Sequence, residues 1–511
     1  MGGTHGLADN GIDIGRTMKA EGYLGLDVGG TGAKAGVFNR EGRMLGFGRK
    51  AYSPVISAEG HAELPIQEIY EAARAATILA VRQSQARILS LAVSSQGQTF
   101  VSLDTEDKPL HPAIMWYDSR ARDQADRLLE TLRTNAAAAP LPGISAIATA
   151  PKIMWLRERY PVEMSRARRF LLLPDYLNYR LTGQAATDPI IASTSGLYAH
   201  TGLHYHEAAL DAACIREDQV ARVQASGTPI GYVLPSVAEE WGLSTETLVT
   251  VGTNDQYAGA LGAGNCRPGI VSETSGTCLA LVTLCEKIPD FLPESLFGGC
   301  FPIPIYQSVL AFSKTAGLVL DWFSRELGGG TALQELDRKA SMIPIGSNGL
   351  TVIPHFDGMI SPVSNPNVRG AFVNLSLQHS CADMYRAILE SLAFSLRENL
   401  DLLTRIGFHI DTIRSIGGGA VSDFWLQMKA DAAGCPIERP AVTEAAVLGA
   451  ALLAAVGYGQ FSSVSEASHA FFALDKVFTP YAKAHIKYEE PYRRYLEVCR
   501  KIYFPGVNHS D

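Results

Sequence analysis

Apolar and polar positions alternate near the start of the chain. Leu24, Leu26 and Val28 share one side of a strand, with Gly25 and Asp27 between them. Gly29, Gly30 and Gly32 then permit a turn that residues with a Cβ resist, and a second apolar run over 33–38 predicts a return strand. Residues 23–38 therefore read as a hairpin with a glycine-rich tip. A turn at 39–42 leads to a third strand near 44–48, helical character covers 65–83, and a short continuous apolar run follows at 88–93. Strand after helix predicts an α/β domain. Further along, apolar runs end in glycine turns at 249–252, 270–276 and 413–419. Met384, Ile388, Leu392, Leu396, Leu400 and Leu403 make a helical stripe that Arg405 and Gly407 stop. The Ala/Gly-rich run 445–456 predicts a buried, closely packed helix.

At 511 residues two large domains are expected, with a tail over 1–22, a first lobe over 23–264 and a second over 265–505. The 47% hydrophobic and 19% charged residues are those of an ordinary globular protein. A net charge of −8 without a dense Lys/Arg run argues against nucleic acid as a partner, so an anionic substrate must be held by local groups. The run 445–456 is too short to span a bilayer, and 1–22 lacks the apolar core of a signal peptide or anchor. Eight cysteines without ligand spacing read as reduced thiols of a cytoplasmic protein, and the chain leaves room for a homodimer.

Several stretches suit chemistry. In the first hairpin the amides of Gly29 and Gly30, the Thr31 hydroxyl and Lys34 suit phosphate oxygens, and Asp27 suits a hydrated Mg²⁺. No Gly-Lys-Ser or Gly-Lys-Thr opens a helix, so this is not a Walker loop; the plain alternative is a tight hairpin with solvated Asp27 and Lys34. Gln98, Trp116, Asp118 and Arg120 offer amide, indole and charged groups to a polyhydroxylated ligand, or else a capped strand end with a structural Asp–Arg pair. His204 and His206 read as solvated loop residues rather than metal ligands. Asp255, presented before an Ala/Gly helix, suits a general base or a helix N-cap. Ser275, Gly276 and Thr277 tip a second hairpin suited to β- and γ-phosphates, and Gly417, Gly418 and Gly419 leave room for a flat ligand against the backbone.

In this order and spacing, these motifs resemble those of the FGGY carbohydrate kinases, a branch of the actin–hexokinase superfamily, with xylulose kinases as the nearest branch. The resemblance includes Ser94-Ser95-Gln96, Trp116-x-Asp118-x-Arg120, Pro151-Lys152-x-x-Trp155, Asp175-Tyr176-Leu177, Leu181-Thr182-Gly183, Asp255-Gln256 and the Gly417–Gly419 turn. It implies two actin/hexokinase-like (ribonuclease H-like) α/β lobes, an interdomain cleft, and ATP and Mg²⁺ as cofactors. The expected activity is ATP-dependent phosphorylation of a hydroxyl on a small carbohydrate, a ketose such as a pentulose. It further implies Asp255 as catalytic base and Gln98, Trp116, Asp118, Arg120 and Gln256 at the sugar. Gly418, Gly419, Ala420 and Asp423 fall at the adenosine. Pro174 stands where Lys is common, Gln98 where His is usual, Asp423 where Asn is frequent, and Met359-Ile360 replaces a charged pair. A glycerol or tetritol kinase is one alternative, although Gln96-Gly97-Gln98 replaces the Gln-Arg-Glu of glycerol kinases. A non-catalytic sugar- and nucleotide-binding regulator is the other.

Overall fold

The computed structural model describes residues 20–134, 144–199, 203–276 and 278–503. Thr277 and most of the expected N-terminal tail lie outside them. β1 (Glu21–Val28) and β2 (Gly32–Phe38) form the antiparallel hairpin that the alternation predicts, with Asp27 opposite Lys34. β1 begins before Tyr23 because Glu21 and Gly22 already pair with Arg87 and Ile88. β3 (Met44–Ala51) adds an antiparallel edge, and α1 (Ile66–Ser84) returns the chain to β4 (Arg87–Ser95), parallel to β1. With β5 (Pro229–Tyr232) and β6 (Leu248–Thr250) the sheet order is β5-β6-β4-β1-β2-β3. Leu24, Leu26 and Val28 are buried, as the pattern requires.

Between β3 and β5 lies an inserted five-stranded antiparallel sheet, built from segments between Val55 and Leu172. Two helices support it, α2 (Thr149–Arg159) and α3 (Pro189–Ser193). His206 departs from expectation. It is buried, its ring accepts the Ala209 N–H and so starts the helix Glu207–Ala212, while His204 is exposed.

After α4 (Asp255–Gly262) the topology repeats. β7 (Gly269–Ser275), β8 (Leu279–Cys285), β9 (Leu296–Cys300) and β10 (Gln307–Ser313) are antiparallel neighbours. The long helix α5 (Cys381–Arg405) then leads to β11 (Ile410–Ile416), parallel to β7, and α6 (Asp423–Ala433) to β12 (Ile437–Pro440), parallel to β11. β13 (Leu474–Phe478) completes the order β9-β10-β8-β7-β11-β12-β13. Each half thus holds a run of antiparallel strands followed by two parallel ones, a duplication that leaves a cleft between two α/β lobes. Arg386 and Glu390 of α5 form a buried pair at 2.9 Å, a scaffold contact.

The apolar helix α7 (Ala445–Tyr458) belongs to the second half in sequence but packs on β1, β4 and α4. The approach is close enough to demand glycine. A Cβ on Gly25 would sit 1.9 Å from the Val447 carbonyl oxygen, and one on Gly449 1.9 Å from that of Ala258. The terminal helix α8 (Ala482–Tyr503) packs on α6 in the second lobe.

Candidate active site

The C-terminal ends of the parallel strands β1, β4 and β6 meet at the cleft floor. Asp27 pairs in register with Ser94, whose hydroxyl donates to Asp27 Oδ1 at 3.2 Å, and Ser95 bridges to Asn254. Asn254 caps α4 by accepting the Gln256 N–H at 3.0 Å, which leaves Asp255 as the first helical residue rather than the cap. Asp255 Oδ1 accepts that same N–H at 2.8 Å. Two carboxylates recessed at one floor cannot both ionise freely. Desolvation, then the Asp255 charge, pushes Asp27 up to about 7, against Lys34 and the Ser94 hydroxyl. Desolvation pushes Asp255 up to about 6, against the Gln256 N–H. The hairpin tip beside them is fixed by the Tyr52 hydroxyl, which donates to the Gly29 carbonyl. Lys34 holds Glu444, the residue before α7, at 2.6 Å, and Thr31 is exposed at the tip.

The wall on the first-lobe side comes within contact of that tip. A Cβ on Gly30 would lie 3.2 Å from Gln96 Oε1 and 3.7 Å from Trp116 Nε1. Thr99 Oγ1 joins the two by accepting from Gln96 Nε2 at 3.0 Å and from the Trp116 N–H at 2.9 Å. The Oε1 atoms of Gln96 and Gln256 are buried with no partner among the described residues, which leaves two acceptors unsatisfied beside the floor. Gln98 adopts a left-handed φ of 57°, held by Thr194 Oγ1, which accepts its N–H at 3.2 Å, and Thr149 Oγ1, which donates to its carbonyl at 3.1 Å. The helix that places Thr194 also reaches the turn before Asp255. Asp188 caps α3 by accepting the Ile191 N–H and accepts the Thr253 hydroxyl at 2.6 Å, so α3 ties the Gln98 turn to the Asp255 turn.

Asp118 and Arg120 are brought together behind this wall rather than into the cleft. Their side chains are 0% and 2% exposed, 2.6 Å apart, and Arg120 also holds Glu63 at 2.6 Å. Lys152, buried beside them with its pKa lowered by desolvation to about 7, donates to the Met115 and Trp116 carbonyls at 2.9 and 3.2 Å.

Across the cleft, Gly276 tips the second hairpin, and its carbonyl accepts the Gly317 N–H at 2.7 Å. The Gly417–Ala420 turn abuts it: Gly417 has φ 78°, and a Cβ on Gly419 would sit 2.6 Å from that of Ser275. Gly418 is exposed and Ala420 buried. The Asp423 carboxylate, half exposed, is engaged by Arg439 and Lys476, each at 2.6 Å.

Of the expected residues, Asp27, Gly29, Gly30, Asp255 and Gln256 converge at the floor, Trp116 beside it, and Gly276, Gly418 and Gly419 opposite. Gln96, Tyr52 and Lys152 adjoin these residues, as does Phe312, whose ring meets the Trp116 indole with centroids 6.4 Å apart, and from sequence alone none of the four has a role of its own. Gln96 and Lys152 carried a signal, as members of the Ser-x-Gln and Pro-Lys-x-x-Trp motifs, while Tyr52 and Phe312 carried none. A hard cation with oxygen ligands fits the Asp27 floor. Among the described residues no cluster of three or more His, Cys, Asp or Glu could hold a metal ion.

A duplicated two-lobed fold with paired carboxylates on its cleft floor and glycine turns facing them defines an actin- and hexokinase-like phosphotransferase. The N-terminal domain of the FGGY family of carbohydrate kinases matches residues 22–262, and its C-terminal domain matches 306–458. Over 505 residues the chain is 30% identical to the xylulose kinase of Haemophilus influenzae, covering 94% of this chain and 100% of that protein. It is 28% identical to the gluconokinase of Bacillus subtilis, covering 87% and 89%. The ligand-bound xylulose kinase structure from Lactobacillus acidophilus superposes with a TM-score of 0.86 at 23% identity, over 95% of this chain and 99% of that one. The chain belongs to the FGGY family of carbohydrate kinases, ATP-dependent phosphotransferases with an alcohol group as acceptor. Among the described residues no helix is long and apolar enough to cross a membrane.

Proposed function

We propose that the protein transfers the γ-phosphoryl group of ATP to a hydroxyl of a small ketose, such as a pentulose of the xylulose or ribulose type. The observation that carries this reading is Asp255 at the head of α4, within electrostatic reach of Asp27, whose hairpin borders Gln96 and Trp116 at Gly30. Asp255 accepts the proton of the attacking hydroxyl. With its pKa near 6 it is ionised at neutral pH yet basic enough to take that proton as the oxygen–phosphorus bond forms. Gln96 and Gln256 orient the acceptor through their free Oε1 atoms, and the Trp116 indole packs on its carbon–hydrogen face. The Gly29–Gly30 tip, Thr31, Lys34 and Gly276, with Thr277 next in sequence, hold phosphate oxygens, while Gly418, Gly419 and Ala420 receive the adenosine. Asp27 would hold Mg²⁺, which supplies charge neutralisation on the phosphates when bound. Most of the rate enhancement comes from positioning and electrostatics.

The test is MgATP-dependent ADP release with pentuloses, heptuloses, gluconate, tetritols and glycerol, using the Asp255→Asn variant as control. The expected result is one strong ketose acceptor whose turnover falls about 10²–10⁴-fold in the variant, with ATP affinity retained. A polyol or gluconate as the strong acceptor overturns the ketose assignment. Substantial turnover in the variant removes Asp255 from the base role, and ATP binding without any acceptor-dependent ADP release favours the regulator.

A further inference from the structure

Glu273 on β7 and Lys429 on α6 form an ion pair in the heart of the second lobe. Nζ lies 2.8 Å from Oε1, with side-chain exposures of 1% for the lysine and 0% for the glutamate. Lys429 Nζ also donates to Ser275 Oγ at 2.8 Å and sits 3.8 Å from the centroid of the Trp425 ring. The hydroxyls of Ser275 and Ser415 both donate to the Glu273 carboxylate. One carboxylate thereby joins β7, β11 and α6.

Its place in the fold gives it a task. Ser275 immediately precedes Gly276 at the tip of the phosphate-side hairpin. The same residue is what Gly419 of the adenosine-side turn packs against, where a Cβ would come within 2.6 Å. The strand leading to that turn, β11, carries Ser415, and the helix leaving it, α6, carries Lys429. Two charges buried this deeply are poor stabilisers, because desolvation offsets much of their attraction; what a fully hydrogen-bonded pair supplies is a single register. We propose that Lys429 and Glu273 are positioning residues that lock the phosphate-side hairpin to the adenosine-side turn, so that the two ends of ATP are gripped in one fixed relation. This rests on the nucleotide placement proposed above.

The experiment measures calorimetric binding of AMP and of the imido analogue of ATP to the full chain, with the sugar KM as an internal control. Removing one partner strands a buried charge, so the pair is replaced together, as Glu273→Leu with Lys429→Met. Glu273→Gln with Lys429→Met, which keeps an acceptor for Ser415, serves if the first does not fold. The expected result is a folded protein with AMP affinity and sugar KM unchanged and affinity for the ATP analogue reduced about tenfold. Unchanged affinity for the analogue, or equal losses for AMP and the analogue, overturns the coupling. Gly419→Val separates the two levels: if it binds both nucleotides as the parent does, the adenosine placement itself is wrong and the inference falls with it.

Discussion

The indole of Trp116, from the first lobe, meets the ring of Phe312, from β10 of the second, edge-on with centroids 6.4 Å apart and planes at 81°. Trp116 is also the residue whose Nε1 approaches Gly30 at the hairpin tip, so the contact closes the cleft beside that tip, where the proposed function brings acceptor and phosphate together. Such a seal excludes water from the transferring phosphoryl group. Phe312→Ala should raise acceptor-independent ATP hydrolysis and raise the sugar KM about 2–10-fold, the worth of one aromatic pair, while leaving the ATP KM alone. ADP release with and without sugar measures this. Hydrolysis that stays at the parent level would show that water is excluded elsewhere.

The raised carboxyls at the cleft floor predict the pH profile. A base works only when deprotonated, so kcat/KM should fall on the acid side through two inflections, near 6 for Asp255 and near 7 for Asp27. A cation on Asp27 competes with the proton. Raising Mg²⁺ should therefore move the upper inflection to lower pH and leave the lower one in place, read from kcat/KM profiles at two metal concentrations. An upper inflection insensitive to Mg²⁺ would take the metal away from Asp27.

The same burial makes Asp255 a cost to the ligand-free fold. Its folded pKa lies above the unfolded value of 3.8, so its contribution is most favourable below about pH 4 and is lost as the pH rises through 6. Asp255→Asn stays neutral and should melt about 2–4 °C above the parent at pH 8, with no difference near pH 4. A gain that does not depend on pH would place its origin in packing rather than in the buried charge.

The hairpins, the helix stripe of α5, and the order of Asp27, Asp255 and the glycine turns were legible because each depends on local pattern: alternation, a glycine where the backbone turns, a polar residue where a strand ends. What stayed hidden depends on partners distant in sequence. A helix apolar on every face, such as α7, does not say which sheet it covers, and only the Gly25 and Gly449 contacts place it on the first. Phe312 sits in an ordinary β-strand, with nothing local to mark the ring it faces. Lys34 reads as a phosphate ligand and Asp423 as a nucleotide contact, and nothing local shows that Glu444, Arg439 and Lys476 engage them. His206 looked like a loop residue because its capping role depends on the burial of the helix it begins.

Trp116 and Arg120 belong to one motif, yet the structure gives them different consequences. Each nitrogen of the Arg120 guanidinium is engaged: Nε and Nη2 on Asp118 and Nη1 on Glu63, with Cζ 4.9 Å from the centroid of the Trp155 ring. Asp118 is equally committed, accepting also the Ala62 N–H at 2.6 Å. Arg120→Met leaves that carboxylate buried without its cation and should lower stability by about 3–5 kcal/mol, with little change in the sugar KM of the folded fraction. Trp116→Ala should do the reverse, raising the sugar KM about tenfold with a stability loss near 1 kcal/mol, since the residue is partly exposed. Urea unfolding and sugar titrations on the two variants separate the roles. If Arg120→Met folds as stably as the parent and raises the sugar KM as Trp116→Ala does, the guanidinium leaves its carboxylates to reach the acceptor, and the Asp118–Arg120–Glu63 cluster is part of the sugar site rather than the frame behind it.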